Sequence, residues 1–309
     1  MRYRLAHETV YEYAGEVSTS HNVAHLLPRA LPRQTPIGCR LRIEQTPATV
    51  APFIDSFGNT CVFFIVEEPH RRLTVRATGD VSVTPTPDLE LEAVMPWEAL
   101  STHVRTARDT AGLEAHEYLF DSPFVKRSLE LADYGRPSFP TGRPVLAGAR
   151  DLCRRIHADF TYDAEATTLA TPVETVLSER HGVCQDFAQV MIGTLRSLGL
   201  PARYVSGYLR SRPPAATEGS DAAKKLLGAE ASHAWVSVFS PEHGWVDFDP
   251  TNDLVPSDRH VTLGWGRDYD DVSPIQGVTL GGGLQTVTVA VDLRPPEEFE
   301  RVEGERKRR

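Results

Sequence analysis

Over roughly the first 90 residues, apolar and polar side chains alternate in short runs. The runs are Tyr3 and Leu5, Val10 to Tyr13, Leu41 to Ile43, Val62 to Val66, Leu73 to Ala77 and Val81 to Val83, each bounded by Pro, Gly or Asn. A period of two with turn residues between the runs predicts an antiparallel β domain. Within it, Asp55-Ser56-Phe57-Gly58-Asn59-Thr60 carries turn chemistry, since Gly58 and Asn59 tolerate positive φ, and predicts a hairpin. From about residue 96 to 200 the period becomes helical. Ser122-Pro123 has the form of an N-cap followed by Pro at the first helical position. Pro144 opens a helix whose Leu146, Ala149, Cys153 and Ile156 share one stripe, which places Cys153 in the core. Thr171-Pro172-Val173-Glu174 reads as a capping box before a short helix that His181-Gly182 ends. A further helix begins at Val183-Cys184-Gln185-Asp186, buries Phe187, Met191, Leu195 and Leu198, and stops at Gly199 and Pro201.

Strand alternation returns over Ala202 to Leu209, His233 to Phe239, Trp245 to Phe248 and Gln285 to Leu293. The expected fold class is α+β, with an N-terminal antiparallel β domain over residues 1–92 and helices packed on an antiparallel sheet over 93–294. A charged tail over 295–309 is expected to be disordered. Arg210 to Ser232 is polar and rich in Pro, Ala, Gly and charge, and reads either as a disordered insertion or as a flap.

Composition narrows the class of partner. The 309 residues are 40% hydrophobic and 24% charged, with 42 acidic against 33 basic side chains and a net charge of -9. That is an ordinary globular balance without the basic footprint that nucleic acid or an anionic membrane would need, so neither is expected as a partner. The start, MRYRLAHETVYEYAG, lacks the apolar stretch of a secretory signal, and no later run reaches transmembrane length, so a cytoplasmic location is expected. The four cysteines, Cys39, Cys61, Cys153 and Cys184, form no CxxC pair and no zinc spacing with histidine. His21 and His25 could share a face, but no carboxylate or third histidine stands near them in sequence, so neither a metal nor a cofactor is assigned.

One cysteine has a setting suited to chemistry. Cys184 lies in the first turn of a helix, where free N–H groups and the positive end of the macrodipole stabilise a thiolate, although Asp186 opposes the effect and makes a histidine partner necessary. A lone cysteine there would be read as a small buried residue. His233 begins an alternating strand in which Trp235, Ser237 and Phe239 share its face, and Trp245, Asp247 and Asp249 share a face of the next strand. A loop of Ser240 to Gly244 pairs Phe239 with Trp245 and leaves His233 diagonal to Asp249, about 7 to 8 Å apart between backbones, a gap two side chains span. Asp247 is the rival carboxylate, while His181 in a helix cap and His243 in a turn have no comparable setting. Cys184 as nucleophile, His233 as base and Asp249 as its orienter form the triad expected of thiol acyl transfer.

These residues resemble a known family. Arg180-His181-Gly182-Val183-Cys184-Gln185-Asp186-Phe187-Ala188, Ser232-His233-Ala234-Trp235 and Gly244-Trp245-Val246-Asp247-Phe248-Asp249-Pro250-Thr251-Asn252 are similar to the cysteine, histidine and aspartate motifs of the bacterial transglutaminase-like family. Gly266 to Pro274 resembles its downstream segment, and His7, Thr9, Tyr11, Tyr13, Leu27-Pro28-Arg29 and Phe57-Gly58-Asn59 resemble the β domain that precedes the core. The resemblance implies a papain-like α+β core, a Cys184–His233–Asp249 triad and a peptide or protein amide as substrate. It also aligns Tyr162 with a recurrent aromatic position, either an oxyanion donor or a core tyrosine, and Gln185 and Trp235 stand as further oxyanion or substrate-side candidates. The triad does not choose between water and an amine as acceptor; hydrolysis is the expectation, because the polar segment before His233 suits a mobile cover better than a permanent seal. An arylamine acetyltransferase-like enzyme, for which no coenzyme A feature is seen, and a catalytically idle binding module are the alternatives.

Overall fold

The computed structural model describes residues 1–168, 171–210 and 232–299. The insertion or flap read after Arg210 therefore falls, but for its ends, outside the described residues, as does the tail from residue 300 onward. Short of that point the tail departs from expectation: Pro295 accepts backbone bonds from Glu298 and Phe299, and Glu298 reaches Arg210 at 3.0 Å.

The N-terminal sheet is built on one strand of 23 residues, β1 (Arg2–Ala24). With β2 (Gln34–Ile43), β3 (Thr49–Ile54), β4 (Thr60–Val66) and β5 (His70–Val83) it gives the order β2-β5-β1-β4-β3. Tyr3, Leu5, His7 and Thr9 alternate inward along its first half, the period expected of a half-buried strand. The register on β5 breaks between Glu12 and Val17, beside the run Gly281 to Gly283 in which all three residues have positive φ. There the Gly15 N–H bonds to the Gly282 carbonyl at 2.7 Å. Glycine is the residue type that permits such a corner, and the two halves of β1 accordingly serve different neighbours.

Those neighbours correct the expected domain boundary. Of the strands numbered in chain order up to β13, β12 (Ile275–Gly281) pairs with the second half of β1, and β13 (Gln285–Arg294) pairs with its first half, Leu293 opposite Leu5. Residues to 294 had been placed with the core, but alternation identifies a strand without saying which open edge it joins. The hairpin at Gly58 forms as expected with Gly58 at φ 76°, whereas Asn59 keeps negative φ and uses its side chain instead.

The core sheet is antiparallel in the order β10-β9-β8-β11, from β8 (Ala202–Leu209), β9 (Ser232–Ser240), β10 (Gly244–Phe248) and β11 (His260–Gly266). Strand β11 was not anticipated, since Gly264 and Gly266 dilute its apolar signal and its register slips between Thr262 and Gly264. Around the sheet lie α1 (Trp97–Thr106), α2 (Thr110–Glu117), α3 (Leu129–Gly135), α4 (Val145–Asp159), α5 (Val173–Glu179) and α6 (Cys184–Ser197). Helix α6 is buried from Cys184 through Arg196 and packs on β8 and β9, with α3, α4 and α5 around it. A helix enclosed on all sides is a rigid support for its first turn. The stripe of Leu146, Ala149, Cys153 and Ile156 on α4 is fully buried, as its spacing predicts.

Two expected caps are not made. No helix follows Ser122; its hydroxyl accepts from the buried Arg196 guanidinium at 3.1 Å, and α3 starts later on Ser128, whose Oγ accepts from the Leu131 N–H at 3.2 Å. Helix α5 starts after Pro172 without a side-chain cap, because the Thr171 hydroxyl accepts from the Thr168 N–H at 3.0 Å. In both, a longer-range or neighbouring donor outcompetes the local helix start.

The two sheets meet over shared apolar surface. Tyr3, Leu5, Val81, Val83 and Leu293 cluster with Tyr208, Val261 and Leu263, and the Tyr208 hydroxyl meets His7 Nδ1 at 2.9 Å within that contact. Burial pushes the His7 imidazole down to about 4, so it is neutral at physiological pH. At another point the Trp265 ring is sandwiched between the guanidinium of Arg29, 3.6 Å from its centroid, and that of Arg203 at 3.7 Å.

Candidate functional site

The chain reaches Cys184 through a sharp turn. Arg180 ends α5 in the left-handed region, φ 59°, and sends residues 181–182 into a short strand, β7 (His181–Gly182), that pairs in parallel with β6 (Thr161–Tyr162). Val183 is extended and α6 begins at Cys184. Asp186 closes this helix start: its Oδ2 accepts the Val183 N–H at 2.9 Å and the Thr167 hydroxyl at 2.6 Å. Glycine is needed at 182 because a Cβ there would come 2.6 Å from that carboxylate oxygen. Burial pushes the Asp186 carboxyl up, although these two bonds pull the other way. The charge that seemed opposed to a thiolate is thus spent on capping the helix that carries the thiol.

Cys184 is 9% exposed and belongs to the main core cluster. Tyr162 is close enough that Cys184, after burial, contributes to raising its phenol. Its ring stands edge-on to Phe187, 6.4 Å between centroids. Gln185 follows Cys184 in the first turn and is buried. Tyr204, fully buried on β8, also feels Cys184 and was not singled out from the sequence.

The β9–β10 hairpin has the register that strand parity predicts, Trp245 opposite Phe239 and Asp247 opposite Ser237. Asp249 follows β10 directly and bridges to Leu254. His233 Nε2 lies 2.8 Å from Asp249 Oδ2, with both side chains inaccessible to solvent. The carboxylate accepts further bonds: Oδ1 from the N–H groups of Thr251 at 3.0 Å and Asn252 at 3.2 Å, and Oδ2 from Asn252 Nδ2 at 2.8 Å and His260 Nε2 at 3.2 Å. Burial alone would raise this carboxyl; His233 and then His260 outweigh burial and hold it well below the usual carboxylate range.

With Nε2 donated to Asp249, Nδ1 is the ring nitrogen left for the Cys184 thiol, and among the described residues it is buried without a hydrogen-bond partner. Burial disfavours the imidazolium, but Asp249, followed by Cys184, outweighs it and raises the His233 pKa. The imidazolium form of His233 is therefore favoured beside Asp249.

His260 is the functional neighbour that sequence reading missed. It stands at the start of β11, its ring edge-on to Trp235 at 5.2 Å. Burial lowers its pKa, so a neutral imidazole donates to Asp249. The signal present in the sequence was a histidine heading the run His-Val-Thr-Leu, but that strand was itself not recognised. Trp235, expected on the substrate side, is fully buried and donates its indole N–H to Asp247 at 3.1 Å. It rests on β8 where Gly207 leaves room, a Cβ there meeting the ring at 2.4 Å. Asp247 thus accepts from Trp235, and the carboxylate bonded to His233 is Asp249. Ligating atoms of His233, Asp249 and His260 lie within 4.8 Å of one another, which would admit a cation, although both histidines already bond the carboxylate.

A helix start bearing a thiol, packed against a strand bearing a histidine bonded to a carboxylate, defines a papain-like core. Consistent with that, residues 138–250 match the model of the transglutaminase-like superfamily, and residues 3–82 match the bacterial transglutaminase-like N-terminal region. An uncharacterized protein of Mycobacterium tuberculosis (strain ATCC 25618 / H37Rv) is 40% identical over 304 residues, covering 96% of this chain and 93% of its own. One from Mycobacterium leprae (strain TN) is 32% identical over 294 residues, 94% and 98% of the two chains. The protein-glutamine gamma-glutamyltransferase of Pseudomonas aeruginosa is 31% identical over 134 residues, 37% of this chain and 19% of its own. A crystal structure of a candidate cysteine protease from Cytophaga hutchinsonii superposes with a TM-score of 0.71 at 21% identity, covering 95% and 90% of the chains, a likeness of fold. The chain belongs to the transglutaminase-like superfamily, in the bacterial form that carries the N-terminal β domain. Among the described residues no helix is long and apolar enough to cross a membrane.

Proposed function

We propose that the chain is a cysteine enzyme of acyl transfer at amide bonds, acting on a protein or peptide, with Cys184 as nucleophile, His233 as base and Asp249 as orienter. The observation that carries this reading is the buried His233–Asp249 bond of 2.8 Å, which leaves Nδ1 unpaired for a thiol on a helix start. The thiolate attacks the amide carbon, the imidazolium protonates the departing amine, and a thioester on Cys184 remains for an acceptor. The Cys184 N–H and the Tyr162 hydroxyl are the proposed donors to the oxyanion.

Water is the proposed acceptor. A lasting thioester needs an apolar wall to exclude water. The two tryptophans that parity places near the triad are otherwise engaged: Trp235 is fully buried with its indole N–H on Asp247, and Trp245 meets Tyr118 edge-on at 5.1 Å and Phe239 at a tilt at 5.5 Å beneath the Arg203 guanidinium. Incubation with a peptide-amide library and millimolar primary amine, read by mass spectrometry, is expected to give hydrolysed product in excess. Amine adducts in the majority would replace hydrolysis by transfer, and no turnover at all would leave the idle-module reading.

Iodoacetamide mapping at neutral pH tests the nucleophile separately. Burial raises the thiols of Cys39, Cys61 and Cys153, the last two being inaccessible, so Cys184 is expected to alkylate at least about tenfold faster than any of them. Equal labelling of Cys39 would remove the assignment. His260→Ala is expected to slow Cys184 alkylation and turnover by roughly ten- to hundredfold through loss of one bond to the charged carboxylate. His260→Gln, which retains a donor, is expected to recover much of the loss, and equal defects in the two variants would assign His260 to packing alone.

A further inference from the structure

His25 was set aside from sequence for want of a nearby carboxylate, and the fold supplies one. His25 follows the end of β1, Asp55 opens the turn between β3 and β4, and Cys61 lies on β4. Their ligating atoms come within 4.8 Å of one another. Cys61 is inaccessible and His25 is 8% exposed.

The surroundings are those of a held ligand set. His25 Nδ1 bonds to the Ser273 carbonyl at 3.0 Å, which fixes the ring and leaves Nε2 with its lone pair. Metal-bound histidines characteristically have the other ring nitrogen oriented by a carbonyl or carboxylate in this way. Asp55 Oδ1 accepts the N–H groups of Phe57 at 2.9 Å and Asn59 at 2.8 Å, and Oδ2 accepts Asn59 Nδ2 at 2.8 Å. Asn59 is in turn tied to the core through Trp265, its Nδ2 donating to the carbonyl at 2.8 Å and its Oδ1 accepting the N–H at 3.0 Å.

We propose that His25, Asp55 and Cys61 bind one divalent cation of the zinc class, with water as fourth ligand, and that the ion clips the β3–β4 turn to the core beside Ser273 and Trp265. A thiolate and an imidazole select a borderline or soft cation over calcium or magnesium, which take oxygen ligands. One thiolate and one carboxylate neutralise the double charge, as a buried site requires. Tetrahedral zinc places ligand atoms about 3.3 to 3.6 Å apart, inside the 4.8 Å that bounds the separations of these three. Without the ion, burial and the Asp55 carboxylate push the Cys61 thiol up to about 12, so it is protonated. Binding then breaks the S–H bond, forms the sulfur–metal bond and releases one proton to solvent.

The test uses the full chain carrying Cys184→Ala, so that the second cluster at His233, Asp249 and His260 has no thiolate to offer. After chelator dialysis, cobalt(II) is added as the probe. One bound equivalent, a near-ultraviolet sulfur-to-cobalt charge-transfer band and a raised unfolding temperature are expected. The band is expected to vanish with Cys61→Ser and to shift or weaken with His25→Gln. No thiolate band in the Cys184→Ala protein, which requires no change at the proposed site, overturns the proposal; so does a band that survives Cys61→Ser. Failure here leaves the acyl-transfer reading untouched, since that reading is tested on amide turnover without added metal.

Discussion

Cys184→Ala is expected to remove amide turnover by on the order of 10⁴-fold or more while leaving the protein folded. The proposed reaction passes through a thioester on this one sulfur, and methyl cannot replace it. The residual rate would come only from substrate positioning and the oxyanion donors, which survive the change. Stability is expected to change little, by about 1 kcal/mol, because Cys184 closes the edge of the core at 9% exposure and the cap of α6 is supplied by Asp186. The measurement is kcat/KM on any amide substrate found in the peptide screen, set beside a urea unfolding curve. Turnover within tenfold of the unaltered protein would move the nucleophile elsewhere. A matched loss of folded protein would make the activity result a packing effect, and Cys184→Ser, which restores a polar atom, would then decide the point.

Asp249→Asn is expected to lower kcat by about 10⁴-fold, the scale seen when a triad carboxylate becomes an amide. The cause here is visible in the donors. His233 Nε2, His260 Nε2, Asn252 Nδ2 and two backbone N–H groups all converge on this carboxylate. An amide turns an NH₂ group toward at least one of them, so either the His233 tautomer reverses or a buried donor loses its partner. Because Asp249 raises the His233 pKa, its removal lowers that pKa, and the alkaline limb of the activity profile is expected to move to lower pH. The same variant is expected to cost stability, roughly 3 to 5 kcal/mol at neutral pH, since buried donors lose their counter-charge. Asp249 titrates well below the ordinary carboxylate value of about 3.9 in the folded state, so its stabilisation is present above that value and fades as pH falls below it. The gap between variant and parent should therefore narrow in acid. An unshifted alkaline limb with near-normal kcat would give the orienting role to another group.

How far the sequence alone reached depended on how local each signal was. The spacing of Phe187, Met191, Leu195 and Leu198 and the stop at Gly199 specified α6 and put Cys184 in its first turn, because helix periodicity and capping are properties of adjacent residues. Strand parity across Ser240 to Gly244 predicted the hairpin register, and through it the His233–Asp249 contact, because a short turn leaves few alternatives. The caps at Ser122 and Thr171 were misjudged because those hydroxyls had other donors within reach. The edge that β13 joins, the placement of His260 on Asp249 and the meeting of His25 with Asp55 and Cys61 were decided only by tertiary structure. In each, the partners are far apart along the chain, and nothing in alternation or composition ranks one open edge or one buried neighbour above another until the sheets have packed.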